Sequence, residues 1–151
     1  VIPAEVNIED LAAQLSEDGV AYSAPELARD AQLNAAVAEA LRPGEGIAVV
    51  DVVPGKAADM RDVAQELADA AGLNTVLVQW PGQVSAVSQS HSRGALEAAQ
   101  GEVPAGVDQV TALEYFHAGL SSDVFPWAPV LTGVLLVAVV AAVSAYVRAV
   151  R

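Results

Sequence analysis

Gly46-Ile47-Ala48-Val49-Val50-Asp51-Val52-Val53, closed by Pro54-Gly55, and Asn74-Thr75-Val76-Leu77-Val78-Gln79-Trp80, closed by Pro81-Gly82, decide how this chain folds. Each run is almost continuously apolar, as in a strand covered on both faces rather than one alternating between core and water. Between them Met60, Val63, Ala64, Leu67, Ala68 and Ala71 recur at helical spacing until Gly72 closes the segment. Strand, helix and strand in so short a stretch form a βαβ unit. The two strands are expected to be parallel with a right-handed crossover.

Outward from this unit, Asn7 followed by Ile8, Leu11, Ala12 and Leu15 reads as a capped amphipathic helix ending near Gly19. Pro25 fits the first turn of a second helix, with Leu33, Val37 and Leu41 on one face and Arg42-Pro43-Gly44 as its stop. On the other side, Val84–Ser88 alternates as a short edge strand. Helices are expected over about 93–100 and 107–118, separated by Pro104-Ala105-Gly106. Residues 7–118 are therefore expected to form one small acidic α/β domain, a short, mostly parallel sheet flanked by helices.

The chain has 151 residues, no cysteine, 7 basic and 19 acidic side chains, and a formal charge of −12. That length suits one domain rather than two large ones. Without cysteine there is no disulfide, thiolate zinc site or cysteine nucleophile. The negative balance argues against nucleic acid as a partner, because phosphate binding needs clustered Lys and Arg. With 54% hydrophobic residues, the bulk of the chain is not disordered.

Much of the apolar content lies at the C-terminal end, where Pro126 to Val147 holds no charged residue. As a helix Trp127–Val147 would span about 31 Å, close to the hydrocarbon thickness of a bilayer. Phe125 and Trp127 mark one end and Tyr146 the other, with Arg148 and Arg151 following at once. Residues 127–147 are thus expected to be a transmembrane helix, 119–126 a juxtamembrane linker and 148–151 a basic tail; a long buried core helix is the alternative. Upstream of the span, residues 1–125 hold Arg29, Arg42, Lys56, Arg61 and Arg93 against all 19 acidic residues, a net of −14. The flank before the span carries Asp108, Glu114 and Asp123, and the flank after it only arginines. By the positive-inside bias the tail is cytoplasmic and the domain outside. No basic n-region with an apolar h-region opens the chain, so no signal peptide is visible. A tail anchor holding the domain in the cytoplasm is the other arrangement compatible with the span.

Asp59, Asp62, Glu66 and Asp69 share one helix face. A single helix cannot wrap a calcium ion, so a solvated face is expected. Val53-Pro54-Gly55-Lys56 lacks the first glycine of a phosphate loop and the Ser/Thr after lysine, Ala57 standing there. Its position matters more, because ligands bind where the strands of an open parallel sheet end. Asp51, Lys56, Asp59, Trp80, Gln83 and Arg93 are candidates to converge on that edge; ordinary loop polar groups with a half-buried Trp are the alternative. Ser88, Ser90, His91 and Ser92 cluster without a GxSxG turn, and His91 is expected to be an exposed loop residue. His117 is expected at the surface near the lipid headgroups. Two distant histidines and no cysteine give no zinc set, and no cofactor is expected.

Thr75-Val76-Leu77-Val78, the serine-rich loop leading to Arg93, Leu96-Glu97-Ala98-Ala99-Gln100, and Phe125-Pro126-Trp127 before a terminal span together resemble the small single-pass membrane proteins of mycobacteria and corynebacteria. The resemblance covers nearly the whole chain, although each motif is short. It implies a TPM-like soluble part, a compact α/β sandwich often fixed to a membrane by a C-terminal helix. It also implies a gene beside secreted NlpC-type cell-wall endopeptidases, and hence a domain on the outer side. Some TPM proteins have been proposed to be phosphatases or to bind calcium; none of their catalytic motifs matches here residue by residue.

The function expected is non-enzymatic. An acidic module at the outer face of the plasma membrane would bind and regulate a cell-wall hydrolase or other envelope protein, its charge steering a basic partner. Two alternatives stand beside it: a metal-assisted phosphatase using Asp51 and Asp59, and a cytoplasmic tail-anchored scaffold.

Overall fold

The apolar runs at 45–49 and 75–80 pair in parallel, with Ile47 opposite Leu77 and Ala48 opposite Val78. Around this pair the computed structural model, which describes residues 1–122, arranges the other elements. In chain order they are α1 (Ile8–Asp18), β1 (Val20–Tyr22), α2 (Pro25–Ala28), α3 (Ala31–Ala40), β2 (Glu45–Val49), α4 (Ala57–Ala71), β3 (Thr75–Trp80), β4 (Gln83–Ser88), α5 (Arg93–Glu102) and α6 (Gln109–Ser122). The sheet has the order β1-β2-β3-β4, with the first three strands parallel and β4 antiparallel to β3. The expected α/β domain with a mostly parallel sheet is the one observed. The expected span 127–147, its anchors Phe125, Trp127, Tyr146, Arg148 and Arg151, and the tail 148–151 lie outside the described residues.

Three boundaries differ from the sequence expectation, each for a local reason. β1 was not expected, because three residues are too few to show a period; Val20, Ala21 and Tyr22 are all buried, directly after the left-handed Gly19 (φ 82) that ends α1. The single helix expected from Pro25 is two, because the Asp30 side chain accepts from Leu33 N–H and starts α3 afresh. The last helix runs on through Gly119 to Ser122, so the first residues of the expected linker are helical.

Alternation along the strands divides the core into two layers. Ala21, Ala48, Val76 and Val78 meet Leu11 and Leu15 of α1 and Met60, Val63 and Leu67 of α4. Val20, Tyr22, Ile47 and Leu77 meet Val37 of α3, Leu96 of α5, and Leu113 and Phe116 of α6. Full burial of one such Leu or Phe side chain contributes about 1.5–3 kcal/mol. In the second layer α6 lies against α5 so closely that a Cβ placed on Gly119 would stand 2.6 Å from Ala99 Cα.

The layers also fix chirality. The connection from β1 to β2 carries α3 over the face of Ile47, whereas the one from β2 to β3 carries α4 over the face of Ala48. Both connections step the same way across the sheet. Opposite faces therefore make them opposite hands, and one of the two is left-handed, which is rare for parallel crossovers. The right-handed rule holds for only one of them. Finally, α6 runs antiparallel to the parallel strands. It begins at their C-terminal ends, where Gln109 bonds Gln79, and reaches their N-terminal ends, where His117 bonds Glu45.

Candidate functional site

Because the chain leaves β1 toward one face and β2 toward the other, a crevice opens between neighbouring connections at the C-terminal ends of the strands. A pocket of about 390 Å³ lies there, lined by the ends of β1, β2 and β3 together with residues of the loops that follow them and of the approach to α6. Its floor is a chain of hydrogen bonds. The Tyr22 hydroxyl donates to Gln109 Oε1 (3.2 Å), Gln109 Nε2 to Gln79 Oε1 (3.0 Å) and Gln79 Nε2 to Val107 O (2.8 Å). Burial, followed by the charges of Asp30 and Asp18, pushes the Tyr22 hydroxyl up to about 12, so it stays a proton donor at neutral pH. Ser23 ties two walls together: its N–H donates to Val49 O (2.9 Å) and its Oγ accepts from Asp51 N–H (3.1 Å).

The charge in this crevice has one sign. Glu26 and Asp51 line it, both exposed, and no Lys or Arg is among the described residues that do. A phosphate or carboxylate would meet two like charges there with no cation to offset them.

Of the six residues expected on this edge, the structure brings Asp51 and Trp80 to the crevice. Lys56 and Asp59 instead form the start of α4, where Asp59 Oδ2 accepts from Lys56 N–H (3.2 Å) and Asp59 Oδ1 lies 3.0 Å from the Val1 amine. Gln83 lines a separate concavity with Glu97 and Gln100. Arg93 lies in a groove beside β4 with Arg61 and His91, paired to Glu97 at 2.6 Å. The residues missing from the sequence reading are Tyr22, Glu26, Gln79 and Gln109. Gln79 carried a signal, a polar side chain within a buried strand that must find a partner; Gln109, far off in sequence, carried none.

The serine cluster holds a turn. Ser88 Oγ accepts from Ser90 N–H (3.0 Å) and His91 N–H (3.3 Å), and Ser92 Oγ caps α5 by accepting from Ala95 N–H (3.2 Å). His91 is exposed, while Asp62, Glu66 and Asp69 form a solvated face. His117 differs from the expectation of a surface residue. It packs inward and places Nε2 2.7 Å from Glu45 Oε2, because α6 crosses the beginning of β2. Burial pushes the Glu45 carboxyl up, but the His117 hydrogen bond, the Arg42 N–H and the charges of His117 and Arg42 together bring it below its ordinary value. Among the described residues no group of three or more His, Asp or Glu is placed to hold a metal ion, and no helix is long and apolar enough to cross a membrane.

Fold and site together define a small acidic α/β domain whose crevice at the C-terminal ends of the strands is lined by carboxylates and amides. The chain belongs to the Membrane protein Rv1476 family, whose model matches residues 1–151, and so to a family of membrane proteins. No curated protein and no solved structure matches it.

Proposed function

We propose that the protein is a membrane-anchored interaction module. In this reading a TPM-like domain is held by a single span over 127–147 at the outer face of the plasma membrane, with residues 148–151 in the cytoplasm. There it binds and regulates a peptidoglycan hydrolase in envelope maintenance or cell separation. Membership of a membrane-protein family supports the anchoring. The observation that carries binding over catalysis is the state of the crevice. Its amides are bonded to one another, its tyrosine is held protonated, and the oxygen of Ser23 already accepts the Asp51 N–H. A metal-assisted phosphatase built on Asp51 and Asp59 has less support, since Asp59 is not among the crevice residues.

Co-purification of the full chain from detergent-solubilised membranes tests this reading. Recovery of a peptidoglycan hydrolase at low salt, released as salt is raised, is the expected result. Recovery of no envelope protein at low salt overturns it.

A further inference from the structure

Resting on that reading of the domain as a binding module, we infer that the crevice captures a lysine or arginine side chain from a basic peptide segment of the partner protein. The capture site lies at the pole opposite the one toward which α6 runs. Three independent features converge on this. A pocket of about 390 Å³ is large enough for a long side chain with some flanking backbone. Its charges stand toward solvent on exposed Glu26 and Asp51, whereas Tyr22, Gln79 and Trp80 beneath them are buried. A side chain entering from solvent leads with its cation, which the two carboxylates at the mouth attract; its head reaches the amides of the floor and its methylenes lie along Leu27 and Trp80. The floor is also acceptor-rich. Among the described residues Gln79 Oε1 and Gln109 Oε1 each accept one hydrogen bond and keep a second lone pair, which suits the donor fork of a guanidinium.

A protein partner fits better than a small free cation. The described domain sets Arg29, Arg42, Lys56, Arg61 and Arg93 against 18 acidic residues, the 19th being Asp123, and a field of this sign steers a large basic surface. The direction of α6 adds the geometry. It starts at the crevice with Gln109 and passes His117 at the opposite, N-terminal end of the parallel strands before ending at Ser122. A chain entering a bilayer soon after Ser122 would leave the crevice facing away from the lipid, open to a partner.

Titration calorimetry on the full chain in neutral detergent at low salt tests this with three probes: an acetylated Gly-Arg-Gly-Arg-Gly amide, its citrulline counterpart, and spermidine. The arginine peptide is expected to bind and the citrulline peptide to bind about tenfold more weakly. Asp51→Asn and Glu26→Gln should each weaken the arginine peptide about five-fold, whereas Glu66→Gln on the outer face of α4 should change it less than about two-fold. Equal weakening by Glu66→Gln would mean diffuse attraction to the whole surface, and spermidine binding as tightly as the peptide would make a free polyamine the ligand; either overturns the inference. Hydrolase capture that survives the double variant Asp51→Asn/Glu26→Gln also overturns it and leaves the module reading intact. Failure of the unaltered chain to capture any envelope protein overturns the module reading instead, whatever the peptide does.

Discussion

His117 Nε2 stands 2.7 Å from Glu45 Oε2, joining α6 to the first residue of β2 across 72 residues of sequence. The side chains are 13% and 6% exposed, so this is a clamp inside the domain and not a surface pair. The same oxygen, Glu45 Oε2, also accepts from Arg42 N–H at 3.0 Å.

Acid should release this clamp. The folded carboxyl of Glu45 lies below its ordinary value of 4.5, so the stabilisation is present above the unfolded value and is lost as pH falls through the lower folded one. Glu45→Gln is expected to lower stability by about 1–2 kcal/mol at pH 7. The gap to the parent should close as the pH drops below about 4.5, followed by denaturant unfolding of the full chain in micelles. Curves that stay parallel down to pH 3 would show that the pair contributes no pH dependence.

The contact between α5 and α6 is set by backbone. A Cβ on Gly119 would stand 2.6 Å from Ala99 Cα and 3.3 Å from Ala99 O. Gly119→Ala should therefore push the helices apart at a cost of about 1–3 kcal/mol. Adding Ala99→Gly should not restore stability, since the Cα remains. Gly101→Ala meets nothing within 4 Å and lies in a helix, so it should instead stabilise by about 0.5–1 kcal/mol. Thermal melts of the three variants separate these outcomes.

Gln109 is the centre of the crevice floor. Gln109→Ala strands both the Tyr22 hydroxyl and Gln79 Oε1, and should cost about 1–3 kcal/mol. Tyr22→Phe removes one donor and leaves the Gln109–Gln79 bond, so about 0.5–1.5 kcal/mol is expected. Equal losses would mean that water takes the place of the missing amide.

Topology can be read with one thiol. The chain has no cysteine, and Ser90 is exposed in the loop before α5. A Ser90→Cys chain in intact cells should react with a membrane-impermeant maleimide, as an outer domain requires. Protection until lysis would put the domain in the cytoplasm.

Much of the fold was legible because the hydrophobic periods are long. Val76–Trp80 and the α4 stripe from Met60 to Ala71 span enough residues to declare their type, and Gly72 ends the helix with φ 66 where the sequence places its stop. β1 was hidden by its three-residue length, and the break between α2 and α3 by an Asp30 cap inside an otherwise helical pattern. The site was legible in part. Asp51 and Trp80 follow from the ends of strands, whereas Lys56 and Arg93 share that neighbourhood in sequence and are carried elsewhere by the starts of α4 and α5. Tyr22 and Gln109 meet through tertiary packing alone, 87 residues apart. His117 shows the same limit, since nothing local distinguishes an inward histidine from an outward one.

The division of the core into two layers has a consequence for biosynthesis. A growing polypeptide that has reached Ser88 holds the four strands of the described sheet, yet Leu96, Leu113 and Phe116, which pack in one layer with Leu77 and Ala86, have still to be made. Such an intermediate leaves apolar surface uncovered, and its second layer cannot close until α5 and α6 emerge.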